Sequence, residues 1–236
     1  MVYKFSVSGE NHKCDKELNQ DVVISKCNEK YAVIALADGV SSCLESRKGA
    51  EIACEELAVL LEKKGDYFFD YDNSKIAVLV MEHITYKLKQ YASMLRIDVN
   101  ELSSTLAGII YDKKNKRSLY INLGDGMIMA INGSKCTTIS KPVCFPEGCP
   151  VTTTKNAYKA VDVNVIDNCS FEAFIIMSDG AWSLFEGGKD VDDNIEIFVS
   201  DRNYKELAKY MNKKKGGDDC SFIVYDFEKP KGRLVA

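Results

Sequence analysis

The feature that most constrains this chain is an apolar run that ends in Asp-Gly and occurs twice. In YAVIALADGVSS, Tyr31 to Ser42, seven apolar residues lead into Asp38-Gly39 and then into small polar residues. AFIIMSDGAWS, Ala173 to Ser183, repeats the pattern with Asp179-Gly180. A continuous apolar run reads as a buried strand, and a following glycine permits a tight exit at positive φ. Each strand would then deliver one carboxylate to the end of a sheet. Asp-Gly is also a strong turn dipeptide, so two ordinary hairpin turns are the competing reading.

The surrounding periodicities supply partners for these strands. Val2 to Ser8 alternates with a period of two, and Asp21 to Lys26 begins a strand to which Tyr31 to Ala37 returns antiparallel. Ala50, Ala53, Cys54, Leu57, Leu60 and Leu61 recur at helical steps and predict a helix from about Ser46 to Lys64. GDYFFDYDN reads as a linker to a second helix from near Ser74, with an apolar stripe from Ala77 to Leu95. His83 lies beside that stripe and is expected to be hydrogen-bonded and partly buried. Strand patterns return in TLAGIIYD from Thr105, in RSLYINLGDGMIMAIN and in KCTTIS. Lys113 to Lys116 reads as a solvated turn, and Gly124-Asp125-Gly126 as a hairpin turn. Further strands are expected over Ala160 to Ile166, Phe171 to Ser178 and SFIVYDF, with a short helix near Tyr204 to Asn212. Helices apolar on one face need a sheet to cover, so the pattern predicts a layered α+β domain. It would occupy residues 1–228, with 229–236 as a frayed tail.

A chain of 236 residues can bury a substantial core, and no linker separates two of them. The net charge of -4 gives no basic footprint for nucleic acid. No leader and no apolar run near the ~20 residues of a membrane helix is evident, so no membrane partner and a cytoplasmic monomer are expected. The nine cysteines are odd in number, include no CxxC and fall partly within apolar patterns. With only His12 and His83 as histidine partners, they read as free thiols. A redox role for Cys144 and Cys149, in the Pro-rich loop KPVCFPEGCP, is the minority reading.

Four acidic positions share a setting at strand ends: Asp21, Asp38, Asp179, and the pair Asp218-Asp219. If they converge, their mutual repulsion requires compensation. Oxygen-only ligands favour a hard cation, Mg²⁺ or Mn²⁺. Two ions roughly 3.5–4 Å apart can activate a water for attack on phosphorus. Separate, exposed loop acids are the alternative.

The motifs occur in a telling order: NQD, ADG, SSTL opening a strand, GDG, SDG, then DDCS opening the last strand. This resembles the protein phosphatase 2C family of metal-dependent Ser/Thr phosphatases, from about Gly9 to Phe227. The resemblance implies a four-layer α-β-β-α sandwich, two antiparallel sheets flanked by helix pairs, with metals in a cleft at one end. It implies that Asp38 bridges two metals, that the Gly39 carbonyl binds one, and that Asp179 and Asp218 complete the other. Asp21, with Gln20 in place of an acid, would hold metal-bound waters. Ser104 and Thr105 match a structural strand start, and Asp125 a turn-stabilising position.

The chain departs from the family's pattern at several positions. Lys16 stands where the family has a phosphate-gripping arginine, and lacks the bidentate fork of a guanidinium. Val40 stands where some members carry a histidine, and Ser41-Ser42 replaces a glycine pair. His12, in the loop before NQD, is a candidate for contacting phosphate or leaving group, with a solvated loop histidine as the alternative. A third-metal acid would align near Asn100, with Asp98 and Glu101 beside it. The expected activity is hydrolysis of phosphoserine or phosphothreonine in phosphorylated proteins by a metal-bridged hydroxide, using two ions and possibly a third. A phosphatase-shaped binding module and a hydrolase of another phosphoester are the competing readings.

Overall fold

The run Tyr31–Ala37 is buried at every position because it is covered on both faces. Ala32, Ile34 and Leu36 point into a core shared by two sheets, while Tyr31, Val33, Ala35 and Ala37 point into a core shared with helices. Burying each large aliphatic side chain there contributes about 1.5–3 kcal/mol. The computed structural model describes residues 1–10, 19–146, 148–167, 170–185, 191–199 and 201–227, with the backbone alone at 191–194. The expected tail at 229–236 lies outside the described residues.

The strands are β1 (Val2–Val7), β2 (Val22–Cys27), β3 (Tyr31–Ala37), β4 (Leu106–Asp112), β5 (Arg117–Leu123), β6 (Met127–Asn132), β7 (Lys135–Ser140), β8 (Asp162–Ile166), β9 (Ala173–Met177) and β10 (Cys220–Asp226). Among the described residues they form two five-stranded sheets, ordered β1-β10-β9-β6-β7 and β2-β3-β4-β5-β8. Every pairing is antiparallel. The register puts Leu36 opposite Val23 on one side and Ala107 on the other.

Helices α1 (Ser46–Phe68) and α2 (Asn73–Leu95) cover the β3 sheet through Leu57, Leu61, Ile76, Val80, Ile84 and Leu88. The short α3 (Asp179–Trp182), with α4 (Val191–Val199) and α5 (Tyr204–Lys214), covers the β9 sheet through Ala181, Ile195, Val199, Leu207 and Met211. The fold is therefore the expected four-layer α-β-β-α sandwich.

Three local expectations change. Helix α1 runs past Lys64 because Gly65 and Phe68 are buried against the sheet, so the linker shrinks to a few residues. The stretch containing VDDN carries helix α4, which the periodicity reading left unassigned. Gly124-Asp125-Gly126 is not a hairpin turn. It carries the chain from one sheet to the other, since β5 pairs with β4 and β8 whereas β6 pairs with β7 and β9. Asn122 steadies this crossing by donating from Nδ2 to the Gly126 carbonyl (2.8 Å) and the Ser140 hydroxyl (3.1 Å). His83 is half-buried and pairs with Glu56 at 2.8 Å, as expected.

Candidate metal centre

Strand β3 ends where three backbone segments meet. The Asp38 N–H donates to Thr105 Oγ1 at 3.0 Å, and the Thr105 N–H returns a bond to the Asp38 carbonyl at 2.8 Å. The Gly39 N–H donates to the Gln20 carbonyl, and the Val40 N–H to the Ser103 carbonyl. Asp38 is thus aimed by the backbone on both sides of it. Ser104, fully buried, is held by Thr152 through its N–H at 3.2 Å, which fits the structural role expected of this strand start.

The second Asp-Gly opens a helix rather than a hairpin, with Asp179 as the first residue of α3. Neither Gly39 nor Gly180 has the positive φ expected of them. What they supply is space. A Cβ on Gly180 would lie 2.1 Å from the Asp219 carbonyl oxygen, and one on Gly39 would lie 2.9 Å from the Ser46 backbone. Gly180 therefore lets the Asp179 turn press against the Asp218-Asp219 backbone, which brings those carboxylates to one place.

Behind them, Asp219 is buried and accepts from the N–H groups of Gly9 (2.9 Å) and Gln20 (2.6 Å). Asp21 is buried as well, and its Oδ2 accepts from the Ser178 hydroxyl at 3.0 Å. The Ser221 N–H donates to the same hydroxyl at 3.0 Å, which joins Asp21 to the start of β10.

Asp38, Asp125, Asp179 and Asp218 line one cavity of about 260 Å³, together with Gly39, Val40, Ser41, Thr105, Cys149 and Val151. Larger grooves of about 560 and 690 Å³ lie along α2, but each is lined by a single carboxylate, Glu82 in one and Asp162 in the other. The small acidic cavity is where chemistry can gather. Withdrawal from water, then the charges of Asp21, Asp179 and Asp218, push the Asp38 carboxyl well above its ordinary value. Burial, with the Asp219 charge, raises Asp21 to about 7. Burial, with the charges of Asp179 and Asp218, raises Asp125 to about 6.

The donor set fits hard divalent cations. Its carboxylates and the Gly39 carbonyl are oxygen donors, the one sulfur on the wall, Cys149, is tied up in a disulfide, and among the described residues the buried Asp21 Oδ1 and Gln20 Oε1 accept no hydrogen bond. Buried oxygens without partners mark places where a cation or its waters belong.

Asp125 was expected to stabilise a turn. Its backbone does so, since its carbonyl accepts from the Trp182 indole at 2.8 Å, but its carboxylate lines the cavity. The sheet-to-sheet crossing explains this, because such a turn projects from the end of the sandwich. Asp98 and Glu101 do not line the cavity. Asp98 accepts from the Asn100 N–H at 3.0 Å, and Glu101 accepts from the Leu44 N–H at 2.9 Å, so both hold loops. Lys16 and His12 lie outside the described residues.

The free-thiol expectation fails at one pair: Cys144 and Cys149 form a disulfide. Phe145 and Gly148, between them, exchange two backbone hydrogen bonds of 3.1 and 2.9 Å, and that pairing sets the cysteines side by side. Cys27, Cys43, Cys54 and Cys220 keep free thiols, and Cys14 and Cys169 lie outside the described residues.

Comparison with known proteins agrees with this architecture. The protein phosphatase 2C family model matches residues 8–213. No curated protein matches the chain in sequence. Among solved structures, a bacterial serine phosphatase superposes with a TM-score of 0.70 at 15% identity, covering 98% of both chains. The Staphylococcus aureus serine/threonine phosphatase Stp1 gives 0.70 at 14% identity, covering 97% of this chain and 95% of that one. RsbX in complex with magnesium gives 0.61 at 14% identity, over 94% and 92%. At such identities the superpositions speak for the fold, and the family match covers most of the sequence. The chain belongs to the protein phosphatase 2C family.

Proposed function

We propose that this protein is a metal-dependent phosphatase that hydrolyses phosphoserine and phosphothreonine in proteins. The observation that carries the reading is the convergence of Asp38, Asp125, Asp179 and Asp218 on one small cavity. A binding module has no evident need for acids held this close against their own repulsion.

Asp38, Asp179, Asp218 and the Gly39 carbonyl would hold the ions, Mg²⁺ or Mn²⁺, and the magnesium in RsbX supports that choice. When bound, the ions supply charge neutralisation and activation of water for in-line attack on phosphorus. The chain's own work is positional. Thr105 and Ser103 fix the backbone that carries Asp38 and Val40. Ser178 orients Asp21, whose buried Oδ1 has no hydrogen-bond partner among the described residues and would hold a metal-bound water. Gln20 Oε1, buried and likewise without a partner among the described residues, would be a second acceptor for such a water. Val40 lines the cavity without a proton to give, so the leaving alkoxide draws its proton from elsewhere.

The reading is tested by hydrolysis of p-nitrophenyl phosphate and of a phosphothreonine peptide with Mn²⁺, with Mg²⁺ and with EDTA. Turnover that requires metal and acts on the peptide supports it. Metal binding without turnover of either substrate would replace it with a phosphate-recognising docking module. Turnover of the small ester alone would indicate a different phosphoester substrate.

A further inference from the structure

The Cys144–Cys149 arm is not accounted for by phosphate-ester chemistry, yet Cys149 lines the same cavity as the acids. The arm is tied to the crossing turn, because the Val143 N–H donates to the Gly124 carbonyl at 2.8 Å. That bond sets Cys144 beside Asp125. A carboxylate oxygen of Asp125 and the sulfurs of Cys144 and Cys149 all lie within 4.8 Å of one another. The two Cα atoms are 4.2 Å apart, and the Phe145–Gly148 pairing that holds them is made by backbone groups alone. Opening the disulfide therefore leaves the cysteines adjacent.

We propose that the reduced Cys144–Cys149 pair, with Asp125, forms a binding site for a thiophilic divalent cation such as Zn²⁺, and that disulfide formation abolishes it. The geometry suits this ion. Tetrahedral zinc, with bonds of about 2.3 Å to sulfur and about 2.0–2.2 Å to oxygen, needs donors roughly 3.5–3.8 Å apart. The C-x₄-C spacing falls within the usual range for paired zinc thiolates. Two thiolates make the site soft, unlike the carboxylates that line the same cavity, so the two centres select different metals. The acids around the cavity add a negative field that favours any cation at its mouth. Three protein donors leave a fourth position for water or an exogenous anion.

The chemistry balances in both directions. Binding converts two thiols and one Zn²⁺ into a zinc dithiolate with release of two protons. A low-molecular-weight disulfide reverses it by thiol–disulfide exchange: one protein disulfide forms, the reagent's sulfur–sulfur bond breaks, Zn²⁺ leaves, and the two reagent thiolates released take up two protons from solvent. Because Asp125 belongs to both the arm site and the acidic cavity, occupancy of the first withdraws a carboxylate from the second.

The test uses the full chain reduced with a water-soluble phosphine, which takes up the oxygen of one water as the disulfide becomes two thiols. Co²⁺ is titrated in excess Mg²⁺, and the sulfur-to-cobalt charge-transfer absorption is recorded. One equivalent of Co²⁺ with that absorption is expected, displaced by Zn²⁺. Affinity should fall at least tenfold in Cys144→Ser, Cys149→Ser and Asp125→Asn, and not in Cys27→Ser or Cys43→Ser. Prior treatment with the low-molecular-weight disulfide should abolish binding. Circular dichroism of each variant separates loss of the site from loss of the fold. Absence of the absorption in reduced protein, its survival in Cys144→Ser, or a disulfide that the phosphine cannot open overturns the proposal. The sulfur signature is independent of turnover, so these outcomes are separable from failure of the phosphatase reading.

Discussion

The Trp182 indole N–H donates to the Asp125 carbonyl oxygen at 2.8 Å, and this one bond joins the sheet-to-sheet crossing to the helix that begins at Asp179. Two of the acids in the cavity are thus spaced by a hydrogen bond between their own local elements. Trp182→Phe removes the donor and keeps most of the ring. We expect a loss of about 1 kcal/mol in urea unfolding. Mn²⁺ affinity should fall as well; unchanged affinity would show that Asp125 is held by other contacts.

Gly180→Ala tests the close approach. Its Cβ would meet the Asp219 carbonyl at 2.1 Å, so the Asp179 turn must retreat from Asp218. Destabilisation on the order of 3 kcal/mol is expected, with loss of metal-dependent turnover. A variant with wild-type melting behaviour would mean that the two segments can part freely.

Asp38→Asn removes one negative charge from a crowded group while keeping the side chain's shape. Turnover should fall on the order of 100-fold or more, with circular dichroism unchanged. The metal-free variant should melt no lower than the wild type, because the repulsion felt by Asp38 is relieved. Full activity with an intact fold would remove Asp38 from the centre.

The raised carboxyls predict a pH dependence for metal-free protein. Asp21 is held at about 7 and Asp125 at about 6, against an ordinary value of 3.8. Between about pH 4 and 7 the folded state keeps protons that the unfolded chain has released, so stability falls as pH rises through that window. The contribution is fully present below the ordinary carboxylate range and lost above about 7. EDTA-treated protein should therefore melt lower at pH 7.5 than at pH 5, and saturating Mn²⁺ should flatten or invert the trend. Parallel pH profiles with and without metal would contradict the site.

Much of this was legible in the sequence because β3 and β9 are buried on both faces, which leaves an unbroken apolar run that only a central strand explains. Asp38 and Asp179 followed from where those runs stop. The crossing at Asp125 was not legible: a glycine-flanked aspartate between two strands looks the same whether the strands pair or part, and only long-range pairing decides. Helix α4 was hidden because, among its described side chains, the fully buried ones, Ile195 and Val199, stand a single helical step apart and follow an acidic stretch. The disulfide escaped because sequence spacing does not reveal that Phe145 and Gly148 pair.

Asp219 has a consequence for how this family member can vary. Its two carboxylate oxygens receive the N–H groups of Gly9 and Gln20, so a single buried side chain fixes both of these backbone points. Closing a longer or shorter segment between fixed ends changes the free energy only slowly with length. Insertions and deletions between Gly9 and Gln20 should thus be absorbed with little disturbance to the acids.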